Sequence, residues 1–109
     1  MTGRVRFDLE PLAPFVFEVG GEAFSYSTCY VFAEIADRSA GTDDTVFKAR
    51  DGRFFHVVIT ADEGDNADGL GVHHGWYTAN QIDAERAVKL RESWAVLRPQ
   101  PAAPGGSFA

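Results

Sequence analysis

The sequence predicts a single α+β domain, in which an antiparallel sheet of four to five strands packs on one C-terminal helix. Two glycine turns between alternating segments predict β-hairpins, and an apolar stripe near the end of the chain predicts the helix. The 109 residues fit one domain. We place it at residues 1–98, followed by a flexible Pro/Gly/Ala-rich tail at 99–109.

The first hairpin is predicted around the Gly-Gly turn at 20–21, because a two-residue turn of this kind needs positive φ. Pairing across it sets Phe17 opposite Phe24 and Phe15 opposite Tyr26. Aromatic cross-strand pairs contribute about 0.2–1 kcal/mol each. The register that the turn sets therefore places the aromatic residues of the two strands opposite each other on one face.

The alternation continues, which predicts one strand over residues 23–35. A helix over residues 28–39 is the alternative, because apolar residues also recur there at helical spacing. We expect residues 37–44 to be a loop.

The second hairpin spans residues 45–60 and turns through a three-residue loop that ends at Gly52 in the left-handed conformation. This register pairs Phe47 with Phe55 and gathers four apolar side chains on one face: Phe47, Phe55, Val57 and Ile59. Phe54 and Val58 then lie on the second face.

A short strand at 72–77 is expected before the helix. Residues 78–81 match a capping box, and Tyr77 with Ile82 supplies the hydrophobic staple, so the helix is predicted to begin there and to end at Pro99. Its packing stripe is predicted to consist of Ala87, Leu90, Trp94 and Leu97.

Negative charge is segregated along the chain, whose formal net charge is −6. Eight acids and one base lie between residues 8 and 44, and six acids and no base between 62 and 85. This balance argues against direct contact with nucleic acid or an anionic membrane. Because the start of the sequence lacks a secretory pattern and the single Cys29 fits a reducing compartment, we expect a cytoplasmic protein.

No motif indicates catalysis. Cys29 lies in an alternating aromatic segment without a glycine elbow or helix start that would lower its pKa, so we expect a buried, inert thiol. The chain has no phosphate loop, and residues 62–71 do not fit the EF-hand spacing. We therefore expect no enzyme, no catalytic residue, no metal and no cofactor.

Two other classes of function stay open. The first is a metal or small-ligand site that combines histidines with an acid of the 62–68 loop: His56, His73, His74, Asp65 and Asp68. Their spacing matches no zinc pattern. The second is a structural module that forms a homodimer through exposed aromatics such as Trp76 or Phe54.

The remaining signal is acidity on a small scaffold. Fixed carboxylates can imitate a phosphate track and occupy a basic groove on another protein, where complementary potentials speed association and give specificity. We therefore expect a non-enzymatic inhibitor that binds a protein partner with a basic surface and blocks that partner's nucleic-acid-binding surface. The expected contact residues are eight acids and one tryptophan: Glu34, Asp37, Asp43, Asp44, Asp62, Glu63, Asp65, Asp68 and Trp76.

The layout of residues 45–97 resembles that of small phage and mobile-element proteins. The segments that carry the resemblance are VFKARDGRFFHV and, after an acidic loop, GWYTANQIDAERAVKL. Anti-CRISPR and other anti-defence proteins are similar in class, being short, acidic, cysteine-poor and non-enzymatic. The resemblance implies an anti-defence inhibitor and carries no catalytic residues.

Overall fold

The computed structural model describes residues 3–10, 13–37, 40–62, 74–97, 104–105 and 107–108. Within them, the main body consists of β1 (Val5–Asp8), β2 (Val16–Val19), β3 (Glu22–Ser25), β4 (Cys29–Asp37), β5 (Thr42–Ala49), β6 (Phe54–Ala61), β7 (His74–Ile82) and α1 (Ala84–Leu97). Two short strands, β8 (Pro104–Gly105) and β9 (Ser107–Phe108), pair with each other in the predicted tail. Most of that tail lies outside the described residues.

Five strands form one antiparallel sheet in the order β1-β7-β6-β5-β4, and β2 and β3 form a separate two-stranded sheet. Helix α1 packs against the larger sheet, so the predicted fold class is confirmed. Strand β1, which was not predicted from the sequence, lengthens the sheet beyond β7. The described residues hold no helix with the length and apolar character that a membrane crossing requires.

The β2–β3 hairpin covers one side of the sheet, called here the hairpin face, which carries Phe47, Phe55, Val57 and Ile59. Phe17 pairs with Phe24 as predicted, and its fully buried ring lies 5.0 Å from the ring of Phe47. The predicted register Phe47 to Phe55 is also confirmed. Two hairpins with the predicted registers therefore form the aromatic core.

Helix α1 covers the opposite side, called here the helix face, where Ala87 and Trp94 pack with Val46 and Phe54. Phe54, predicted to be an exposed dimer contact, is therefore buried. Leu97 was expected in the packing stripe but is 66% exposed, because the helix contact with the sheet ends near Trp94.

The helix begins later than the sequence predicted. Residues 78–81, the expected capping box, belong to β7 and pair with β6. Asp83 caps α1 instead, since its Oδ1 accepts a hydrogen bond from the backbone N–H of Arg86 at 2.8 Å. Pairing along the whole length of β6 outweighs the local capping preference, so the predicted staple of Tyr77 and Ile82 is wrong as well.

Within the described part of the helix predicted over 28–39, residues 29–37 form a strand, and the strand predicted over 23–35 is interrupted. The chain leaves β3, turns at residues 26–28 and enters β4 in the other sheet. Ser25 and Thr28 hold the turn, because the backbone N–H of Ser25 donates to Thr28 Oγ1 at 2.9 Å and the N–H of Thr28 donates to the Ser25 carbonyl at 3.0 Å. Such local bonds compete with a continued ladder.

Two smaller predictions fail next to that turn. Tyr26 follows the end of β3, so it does not pair with Phe15; its ring lies 5.2 Å from that of Phe47. The loop predicted over 37–44 is shorter, because β5 already begins at Thr42. Asp43 and Asp44 are therefore strand residues.

Candidate functional site

The two edges of the five-stranded sheet divide the predicted contact residues between them. The β1 edge is formed by a four-residue strand and the β4 edge by a nine-residue strand. Asp62 and Trp76 lie at the β1 edge. The β4 edge, taken as β4 with its neighbour β5, holds Glu34, Asp37, Asp43 and Asp44. The other three predicted acids lie outside the described residues: Glu63, Asp65 and Asp68.

At the β1 edge, Arg6 binds two carboxylates. Its guanidinium donates to both oxygens of Asp62 at 2.9 and 2.7 Å, and to both oxygens of Asp8 at 2.9 and 3.3 Å. His74 Nδ1 lies 3.0 Å from Asp8 Oδ1. The hydrogen bonds from Arg6 lower the pKa of Asp8 and of Asp62, so both groups are charged and both meet a cation of the same chain.

Trp76 is also engaged within the chain. The guanidinium carbons of Arg4 and Arg6 lie 4.8 and 5.5 Å from the centroid of its ring, within the range of cation–π contacts. The side chain is half-buried. The aromatic surface that was predicted to meet a partner is therefore covered by two arginines.

At the β4 edge, the register gathers four acids on two adjacent strands. Glu34 pairs with Thr45, and Asp37 pairs with Thr42. Because side chains alternate along a strand, Glu34 and Asp43 stand on the hairpin face, and Asp37 and Asp44 on the helix face. The acids thus flank both sides of one strand pair.

Glu34 and Asp43 form a hydrogen-bonded carboxyl pair, which requires one of the two groups to carry a proton. Burial, the hydrogen bond with Glu34 and the charge of Glu34 raise the pKa of Asp43 to about 7. Thr45 Oγ1 donates to Asp43 Oδ1 at 3.2 Å. Burial and the charges of Glu34 and Asp43 also raise the pKa of Tyr26. Carboxyl groups are therefore concentrated at this point of the β4 edge, and one of them holds a proton.

On the helix face, Asp44 Oδ1 lies 3.0 Å from His56 Nε2, and the ring of His56 lies 5.7 Å from that of Trp94. His56 pairs with Asn80, six positions along β7 from His74, which corresponds to about 20 Å. The structure does not bring these two histidines together. Within the described ranges, no group of three or more His, Cys, Asp or Glu side chains is placed to hold a metal ion. His73, Asp65 and Asp68 lie outside those ranges.

A groove of about 350 Å³ lies between β4 and α1, beside the acids. Phe32 forms part of its wall at a β-bulge, where the register shifts between Val31 and Ala33. The Phe32 ring packs edge-on against Phe54 at 4.9 Å, and the Arg91 guanidinium lies 4.2 Å from its centroid. This groove was not predicted from the sequence, because it depends on which face of the sheet the helix covers.

Cys29 is buried, with 5% exposure, and burial raises the pKa of its thiol. A thiol in such surroundings forms little thiolate, the reactive species. The structure thus gives Cys29 the inert environment that was expected from its sequence context.

Comparisons with known proteins supply no family for this chain. No family model matches it, and neither the curated proteins nor the solved structures give a match. The geometry of the two edges is therefore the basis for a functional proposal.

Proposed function

We propose that this chain is a protein-binding domain that engages a basic partner through the acidic surface of β4 and β5. The observation that carries the proposal is the placement of Glu34 beside Asp43 on adjacent strands, where burial, the hydrogen bond with Glu34 and the charge of Glu34 raise the pKa of Asp43 to about 7. A lysine or arginine of a partner placed beside this pair favours the ionised form of both carboxyl groups. Such a cation therefore offsets the burial and the neighbouring negative charge that disfavour ionisation of Asp43 in the free protein.

The β1 edge is left out of this surface. Asp62 is bound by Arg6, and the ring of Trp76 is covered by Arg4 and Arg6, so neither side chain offers its chemistry to a partner without breaking contacts inside the chain. The proposed contact set consequently narrows to the four acids of the β4 edge: Glu34, Asp37, Asp43 and Asp44. Asp44 also has a neighbour within the chain, but that neighbour is the imidazole of His56 and not an arginine.

The activity that suits such a surface is inhibition without catalysis. Carboxylates fixed on a strand pair meet the same lysines and arginines that bind phosphates, so nucleic acid and this domain compete for one basic surface. The likeness in class to anti-CRISPR and other anti-defence proteins points the same way. The proposed target is thus a nucleic-acid-binding protein whose basic surface the β4 edge occupies.

A charge-matched pair of variants tests the proposal. Glu34→Gln/Asp37→Asn/Asp43→Asn/Asp44→Asn removes the four carboxyl groups of the β4 edge, which together carry about three charges because the Glu34–Asp43 pair holds one proton. Glu18→Gln/Glu85→Gln/Glu92→Gln removes three charges from exposed positions elsewhere. Pull-downs from nuclease-treated lysate are expected to retain the partner with the control and to lose it with the edge variant. Added nucleic acid and moderate salt are expected to release it.

Three outcomes of that experiment contradict the proposal. They are equal capture by the two variants, capture that salt does not weaken, and capture that nucleic acid does not compete with. Circular dichroism of both variants confirms that each is folded, so that a loss of capture reports the surface and not the fold.

The two alternative functions stay predictions. Among the described residues, no contact favours a metal site that uses His56 and His74, because the two lie at separate positions of the sheet. The aromatics named for a homodimer are buried, in the case of Phe54, or covered by arginines, in the case of Trp76.

A further inference from the structure

β4 is the longer edge strand of the sheet and, in the part of the chain that the structure describes, it pairs only with β5. The outer side of an edge strand presents backbone N–H and C=O groups that another extended chain can pair with. Tyr30 and Val31 on this strand are 55% and 41% exposed. The β-bulge at Phe32 divides the strand, and residues 33–37 form the continuous part next to the acids.

The two sides of β4 offer different chemistry to an incoming strand. Glu34 and Asp43 stand on the hairpin face, where they attract basic side chains. On the helix face, Ala33 and Ile35 pack against the apolar cluster of Val46, Phe54, Ala87 and Trp94, and Asp37 follows them at the end of the strand. The groove beside them is lined by Phe32 and Trp94 together with Glu34 and Arg91. Arg91, whose guanidinium stacks on Phe32 at 4.2 Å, adds a positive charge to this lining.

We infer that the β4 edge binds an extended segment of its partner in which basic side chains alternate with apolar ones, and that this segment adds to the sheet beside residues 33–37. Successive side chains of an added strand point to opposite faces, so the alternation matches Glu34 on the hairpin face and Ala33 and Ile35 on the helix face. The inference rests on the proposed function for the sign of the partner's charge. The backbone pairing and the alternating pattern go beyond it.

A second copy of this chain is the competing occupant of an open edge strand. Antiparallel addition of β4 to β4 brings the acids of residues 33–37 of one copy beside those of the other. Like charges across a strand pair are destabilising. Charge complementarity therefore favours a basic segment over self-association.

The test uses the full chain and three synthetic peptides of equal charge. The first alternates lysine and valine over eight residues, the second has the same sequence with alternate backbone amides methylated, and the third has four lysines followed by four valines. Methylation removes backbone donors but keeps the charge and the side chains. Two methylated versions, one for each set of alternate amides, cover both registers.

Titrations at low salt are expected to show the alternating peptide binding at least 10-fold more tightly than the block peptide and than one methylated version. Amide shifts in NMR spectra are expected to concentrate in β4 and not in β1. Binding of the methylated and block peptides that equals the alternating one overturns strand addition, as does the absence of any binding by the alternating peptide.

The charge variants separate this inference from the proposed function. If Glu34→Gln/Asp37→Asn weakens binding relative to Glu85→Gln/Glu92→Gln, and the alternating peptide binds no more tightly than the block and methylated peptides, the acidic surface is supported and strand addition is overturned. If the two variants bind every peptide alike, the proposed function fails together with the inference. Self-association that sedimentation detects at rising concentration, with no peptide binding, assigns the edge to a second copy and overturns the inference.

Discussion

The two edges of the sheet start from similar chemistry and end in opposite electrostatic states. At the β1 edge, Asp8 and Asp62 share the guanidinium of Arg6, and the pKa of each carboxyl is lowered. At the β4 edge, Asp43 lies against Glu34, and the pKa of Asp43 is raised. The difference shows that counting acids along the sequence does not locate an acidic surface. The neighbours on adjacent strands decide whether a carboxyl group meets a cation or another carboxyl group.

The edges also differ in what lies behind them. Helix α1 packs on β4, with Trp94 buried between the helix and the sheet. Trp76, near the other edge, is half-buried under arginines that are themselves exposed. The packing of α1 therefore holds β4 rigid, and a rigid edge strand is what pairing with another strand requires.

The largest expected effect separates these two tryptophans. Trp94→Ala should lower the free energy of unfolding by about 3–5 kcal/mol, because it leaves a cavity between α1 and the sheet. Trp76→Ala should cost about 1–2 kcal/mol, since it removes a partly exposed ring and two exposed cation–π contacts. Urea unfolding followed by circular dichroism measures both. Equal losses of unfolding free energy in the two variants would show that the packing behind the two edges contributes equally to stability.

Much of the fold follows from the sequence alone. The turns at 20–21 and at Gly52 have positive φ, and the registers of Phe17 with Phe24 and of Phe47 with Phe55 are correct, because turn type and apolar alternation agree at both hairpins. The predicted start of the helix was wrong because residues that can cap a helix occur at two places, at 78–81 and at Asp83. Only the pairing with β6 decides between them.

The candidate site was less predictable. The density of acids along the sequence predicted four contact residues of the β4 edge: Glu34, Asp37, Asp43 and Asp44. Because residues 37–44 were predicted to be a loop, the strand that places Asp43 beside Glu34 was not predicted. The pairing of Asp62 with Arg6 joins residues 56 positions apart, and nothing in the local sequence indicates it. Charge segregation therefore suggested the surface, and the strand register defined its members.

The second prediction concerns Asp43, whose folded-state pKa of about 7 lies above its ordinary value of 3.8. Between these values the folded state holds a proton that the unfolded state has lost, so stability falls as the pH rises from about 4 to 7. Asp43→Asn removes this titration. We expect the variant to be about 1 kcal/mol more stable at pH 8, a value kept small because water screens the partly exposed pair.

Urea unfolding at pH 5, 6, 7 and 8 measures this effect. The slope of stability against pH is expected to flatten in Asp43→Asn and to stay unchanged in the exposed control Glu92→Gln. A variant that loses stability at pH 8 would mean that the charged form of Asp43 is favoured at this edge, as it is for the acids of the β1 edge.

The smallest effect is expected at the β1 edge, and its sign is opposite. The hydrogen bonds from Arg6 lower the pKa of Asp62 below its ordinary value of 3.8, so this carboxylate stabilises the fold above that value and the contribution is lost as the pH falls through the folded pKa. Asp62→Asn should therefore lower the melting temperature slightly at pH 7 and leave it nearly unchanged at pH 2. Exposure of the pair to solvent keeps the shift small. A higher melting temperature at pH 7 would place Asp62 in the same repulsive environment as Asp43, and both edges would then have to be treated as one acidic surface.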